Sequence, residues 1–142
     1  MRNIKLTLEY DGANFFGFQT QKNCRTVQSE LELALRKLFG KKIKATASGR
    51  SDSGVHAEAQ VVHFEIESKI PLEKIVRGLN HYLPEDLAVT GIRKVPASFH
   101  AQYSAKRKTY EYRIFNSSVR SPLKRVRTFF VPYPLHVSKM KQ

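Results

Sequence analysis

At 142 residues the chain is one ordinary domain or a piece of something larger, and two full-sized domains do not fit comfortably. A hydrophobic content of 41% with seven Gly and six Pro excludes collagenous, low-complexity and disordered classes. Lys and Arg total 25 against 12 Asp and Glu, and the resulting +13 calls for an anionic partner or a very basic surface.

Ile4, Leu6, Leu8 and Tyr10 alternate with Lys5, Thr7 and Glu9, the period of a half-buried strand that stops at Asp11-Gly12. The connection from Asp11 to Arg25 is long and holds Phe15, Phe16 and Phe18 beside Asn14, Gln19 and Gln21; it reads either as a binding loop or as local packing of three rings. Thr26 can cap a helix whose Val27, Leu31, Ala34, Leu35 and Leu38 share one face, with Gly40 as its stop. Residues 42 to 48 alternate again, and Val62, Phe64 and Ile66 mark a third extended segment after a break at 49 to 57. Pro71 opens a second helix that ends near Leu83-Pro84, and Leu87, Val89 and Ile92 form a fourth strand. The order β-α-β-β-α-β predicts an α+β fold of ferredoxin-like type, with two helices on one face of an antiparallel sheet and the other face free.

Beyond residue 95 the pattern predicts an extension of that sheet. Thr109 to Phe115 reads as a fifth strand and residues 126 to 131 as a sixth, so residues 96 to 133 form a basic and aromatic addition to the 1–95 core. Residues 134 to 142 read as the opening turn of a helix, and hence as the start of a truncated further domain. Residues 87 to 142 hold 12 basic side chains and one acid, Glu111, whereas residues 1 to 86 are nearly neutral with 13 and 11. Cys24 is alone, which leaves no internal disulfide and fits a reducing cytosol. No apolar run approaches a membrane span and no signal-peptide core follows Met1, so a soluble, cytoplasmic protein is expected.

Two segments carry candidate chemistry. Gly49 to Ala57 combines two glycines, Arg50, Asp52 and His56 between two strands. On spacing alone it is first a hairpin loop, because Asp, Ser and Gly favour turns; the functional reading is a catalytic carboxylate, with Arg50 beside Asp52 to favour its ionised form. Such a carboxylate can attack carbon as a glycosidic bond breaks and later be expelled. Phe99 to Arg113 interleaves aromatics with Lys106, Arg107, Lys108 and Arg113. That mixture fits a core strand after a solvated basic turn, or an RNA surface on which cations neutralise phosphates and rings stack on bases. The five histidines and Cys24 show no zinc-ligand spacing, so no metal is expected.

Four blocks in order resemble the N-terminal half of TruA-type tRNA pseudouridine synthases: Tyr10-Asp11-Gly12 leading to Gly17-Phe18-Gln19, Arg25 to Leu31, Gly49 to Ala57, and Phe99-His100-Ala101 running into Lys108 to Tyr112. The third is similar to the family signature Gly-Arg-Thr-Asp-Ala-Gly-Val-His-Ala, with Ser51 and Ser53 in place of Thr and Ala. Phe18 stands where the family usually has Trp, and Gln102 where an Arg normally follows Phe-His-Ala. The resemblance implies isomerisation of uridine to pseudouridine in the tRNA anticodon stem-loop, without metal or organic cofactor. It puts Asp52 on the nucleophile, Arg50 on its arginine partner, Tyr110 on the tyrosine that packs on the target uracil and His100 among the substrate contacts. Lys106, Arg107, Lys108 and Arg113 then face RNA. It also implies a second domain that supplies the opposite wall of the cleft and much of a homodimer contact, so that this chain alone is expected to be largely inactive. The alternatives are a non-catalytic RNA-binding domain of ferredoxin-like fold, against which the segment Val61 to Glu67 lacks paired aromatics, and a basic ribosome-associated protein.

Overall fold

The computed structural model describes residues 1–141; Gln142, the last residue of the expected C-terminal segment, lies outside them. The chain divides into two compact units, one from Met1 to Lys106 and a second that begins at Arg107.

In the first unit, β1 (Arg2–Tyr10) is followed by a 3-10 turn (Gly12–Asn14), α1 (Val27–Phe39), β2 (Thr46–Ala47), β3 (Ala57–Ile66), α2 (Leu72–Tyr82) and β4 (Leu87–Val95). The four strands lie in the order β2-β3-β1-β4, and every neighbouring pair is antiparallel. Alternate side chains of β1 (Ile4, Leu6, Leu8, Tyr10) and of β3 (Val62, Phe64, Ile66) join Val27, Leu31, Ala34 and Leu35 of α1 and Ile75 and Leu79 of α2 in one buried core. Because strand side chains alternate, Lys5, Thr7 and His63 project from the opposite face. The helices themselves pack closely: a Cβ on Gly78 of α2 would come within 2.6 Å of a Leu38 methyl of α1.

Local chemistry accounts for the boundaries. Thr26 Oγ1 accepts from Ser29 N at 3.2 Å while Ser29 Oγ accepts from Thr26 N at 3.0 Å, and the two bonds close a capping box on α1. Gly40 ends the helix at φ 71°, a left-handed position where a side chain is strained. The strand expected over 42 to 48 shortens to Thr46–Ala47. Ala45 explains the correction: its N–H donates to Glu32 Oε1 and its C=O accepts from Gln28 Nε2, both at 3.0 Å, so α1 takes the backbone groups that a longer strand would pair.

The second unit corrects the expected sheet extension. Its strands are β5 (Ile114–Asn116) and β6 (Phe129–Val131), which pair with each other in parallel as a separate two-stranded sheet; a single turn, α3 (Val137–Met140), follows. Residues 109 to 113 form no strand. Their aromatic alternation has no apolar surface to cover, and Tyr110 and Tyr112 are 74% and 90% exposed. Among the described residues no helix is long and apolar enough to cross a membrane.

Candidate active site

The long connection after β1 is a scaffold for the segment that carries Asp52. Arg25 anchors it at one end through a bidentate pair with Asp86, Nη1 and Nη2 lying 2.8 and 2.7 Å from the two carboxylate oxygens. Its guanidinium also lies over the Phe15 ring, 4.2 Å from the centroid, and 3.4 Å from Glu30. The pair with Asp86 holds the Arg25 pKa above and the Asp86 pKa below their ordinary values, against an opposing effect of burial. Phe15 and Phe18 are buried in the core while Phe16 is half exposed, so two of the three rings pack locally and one does not.

Residues 51 to 55 sit directly on that scaffold. Phe18 N donates to the Ser51 carbonyl at 3.0 Å; Gly54 N and Ser53 Oγ both donate to the Phe15 carbonyl at 3.2 Å. Tyr10 Oη and Ser51 Oγ are 2.7 Å apart, and burial raises the pKa of that phenol. The hydroxyl of Ser51, which stands where the resembled signature has Thr, therefore has a partner. His56 Nδ1 accepts from Gly12 N at 3.0 Å and lies 2.9 Å from Asp11 Oδ1. Two glycines make the approach possible. A Cβ on Gly12 would meet the Val55 carbonyl oxygen at 2.0 Å, and one on Gly17, at φ 79°, would meet that of Ser51 at 2.7 Å.

Asp52 rides on top of this arrangement. Its backbone C=O accepts from Val55 N at 3.2 Å, its residue is exposed, and no hydrogen bond or ion pair engages its carboxylate among the described residues. Arg50 is exposed as well, and the expected ion pair between Arg50 and Asp52 is not formed. A carboxylate on a braced loop, with its oxygens open to solvent, is available as a nucleophile or a base.

The other expected residues belong to later segments of the chain. His100 stands with its ring against His63, 4.8 Å between centroids, and stacked on Tyr103; its Nδ1 is buried without a partner. No bond or ring contact links it to Asp52. Lys106 is exposed at the end of the first unit, and Tyr110, Arg107, Lys108 and Arg113 are exposed in the second, where Arg113 pairs with Glu111. No cluster of three or more His, Cys, Asp or Glu that could hold a metal ion occurs among the described residues.

Sequence reading alone missed the Tyr10–Ser51 and Gly12–His56 bonds, the Arg25–Asp86 pair and the ring contact between His63 and His100. Gly12 and Gly17, two glycines in an overlong strand-to-helix connection, were the available signal.

A loop-borne carboxylate braced by a glycine-rich connection defines a class that comparison with known proteins makes specific. The family model described as tRNA pseudouridine synthase matches residues 7–104, which takes in both the scaffold and the Asp52 loop. Over 142 residues, all of this chain, it is 46% identical to tRNA pseudouridine synthase A of Ruminiclostridium cellulolyticum and 44% identical to that of Thermoanaerobacter sp.; each alignment covers 58% of the relative. With tRNA pseudouridine synthase A of Halalkalibacterium halodurans the identity is 46% over 143 residues and 54% of the relative. The chain belongs to the tRNA pseudouridine synthase family, and it spans somewhat more than half the length of these curated relatives.

Proposed function

We propose that this chain is the Asp52-bearing part of a tRNA pseudouridine synthase, an isomerase that converts uridine to pseudouridine in the tRNA anticodon stem-loop. The observation that carries the reading is the brace: backbone bonds from Phe18 and Gly54 and a hydroxyl bond from Ser53, with Gly12 and Gly17 beneath, fix residues 51 to 55 and leave the Asp52 carboxylate unpaired. The reaction breaks the N1–C1′ bond, turns the uracil and rejoins it through C5. A fixed nucleophile holds one fragment while a closed pocket retains the other. A paired target must first leave its stack. In this reading Asp52 is the nucleophile, Arg50 moves onto the carboxylate or the phosphate of the flipped nucleotide when RNA binds, and Tyr110 packs on the uracil. His100, Lys106, Arg107, Lys108 and Arg113 contact RNA.

The strand order β2-β3-β1-β4 with two helices in one core supports a ferredoxin-like arrangement of residues 1–95. Residues 96–133 supply the basic and aromatic side chains for RNA, the part from Arg107 on within the second unit, and 134–142 open a further segment. The longer form works in the cytoplasm as a homodimer, without metal or organic cofactor, and this chain alone turns over little. The test is tritium release from tRNA labelled at uracil C5. The chain joined to the portion of the Ruminiclostridium cellulolyticum relative beyond the match should release tritium, and the same chimaera carrying Asp52→Ala should release none.

A further inference from the structure

The site just described gives no role to His63 or Tyr103, the two rings on either side of His100. His63 projects from β3 on the face away from the helices, and its Nδ1 accepts from Ala101 N at 3.1 Å within a buried contact. From β1, Asn3 Nδ2 donates to the carbonyls of Pro96 and Phe99, at 3.1 and 2.9 Å. The sheet thus holds residues 96 to 101 at two points. Ser104 N donates to the His100 carbonyl at 2.8 Å while His100 N donates to Ser104 Oγ at 3.1 Å, which closes the next turn on itself.

That turn presents a ring. Tyr103 stacks on His100 with centroids 4.3 Å apart and planes 26° from parallel, and His100 in turn meets the His63 ring edge-on. Yet Tyr103 is 81% exposed. One face of the phenol ring is backed by an imidazole that the sheet holds in place, and the other is open. A ring backed on one face and open on the other can take a second flat ring in offset stacking against its free face.

Cations accompany it. Lys5 is the register partner of His63 on one side and of Arg93 on the other, so the three side chains share the sheet face, and exposed Lys106 follows three residues after Tyr103. Stacking rings beside cations are the requirement for single-stranded RNA, whose bases need a π-surface and whose phosphates need charge.

We propose that Tyr103, backed by His100 and positioned through His63, is a stacking shelf for an unpaired base of the bound RNA. The assignment rests on the RNA-binding reading above and adds to it a contact distinct from the Asp52 loop. Duplex RNA keeps its bases stacked on one another and offers none to the shelf.

The test is fluorescence anisotropy of the 142-residue chain with a labelled RNA hairpin carrying an unpaired loop, and with a blunt RNA duplex of equal length. Tyr103→Ala should weaken hairpin binding about five- to 150-fold, the loss expected for one stacked base. Duplex binding should stay unchanged, as should the slope of log affinity against log salt, because no phosphate contact is removed. Tyr103→Phe should bind the hairpin within about twofold of the parent, since the ring remains. Equal hairpin binding by the parent and Tyr103→Ala would overturn the shelf while leaving the RNA reading intact. A loss in Tyr103→Phe as large as that in Tyr103→Ala would overturn stacking in favour of the hydroxyl. No binding of either RNA by the parent would overturn the RNA-binding reading and the shelf with it.

Discussion

Gly12 lies so close beneath Val55 that a Cβ at its position would come within 2.0 Å of the Val55 carbonyl oxygen. The atoms it would meet are backbone and a Cβ has no rotamer of its own, so no side-chain rearrangement can relieve the contact. Gly12→Ala must therefore move the turn that carries Asp52, or the scaffold under it. Overpacking of this kind costs about 1–3 kcal/mol. The variant should melt below the parent in a thermal scan, and in the active chimaera it should lose well over tenfold of its tritium release although Asp52 is untouched. Release at the parental rate would show that the turn does not depend on this contact.

Arg25 and Asp86 are 61 residues apart in sequence and joined by two charge-assisted hydrogen bonds. The pair holds the Asp86 carboxyl below the ordinary 3.8 of an aspartate. An unfolded chain then takes up a proton at Asp86 more readily than the folded one, so the pair's contribution is fully present above the unfolded value and is lost as pH falls through the folded one. Asp86→Asn should remove that acid-side dependence. The side chains are 33% and 18% exposed, so solvent screens the pair and the loss at neutral pH should be about 1 kcal/mol. Urea titrations at pH 7 and at pH 3 check both statements.

His63 must be neutral at Nδ1 to accept from Ala101 N. Burial, and to a lesser extent the neighbouring His100, push its pKa below the usual 6.5; the Thr46 backbone and Glu65 pull the other way, and Lys5 is its register partner. A depressed imidazole pKa means that the unfolded chain binds the proton first. Stability is then complete above pH 6.5 and declines as pH falls from there towards the folded value. The parent should lose melting temperature between pH 7.5 and pH 5.5, and His63→Phe should lose less over the same interval. An NMR titration in which the His63 ring protonates at or above 6.5 would contradict the account.

Much of the first unit was legible from residue pattern. Thr26, the apolar face from Val27 to Leu35 and Gly40 specify α1 locally, because cap, stripe and stop all lie within one helix. β1 was equally plain, since its alternation is uninterrupted. What escaped was set by partners remote in sequence. Residues 42 to 45 alternate like a strand, yet Gln28 and Glu32 of α1 claim the Ala45 backbone. Residues 109 to 113 have the composition of a strand and no surface to cover. At the candidate site Asp52 could be read from the loop and from the resemblance. The brace could not, because Gly12, Gly17 and Arg25 act through Val55, Ser51 and Asp86, which no local pattern connects to them.

The central claim is that Asp52 is the nucleophile. Tritium release from tRNA labelled at uracil C5 tests it most directly, in the chimaera with the remainder of the Ruminiclostridium cellulolyticum relative, alongside tRNA binding by filter retention. Asp52→Ala should bind tRNA within about threefold of the parent, because removing a carboxylate takes away no cation–phosphate contact, and should release no tritium above background. Release at the parental rate by Asp52→Ala would contradict the account.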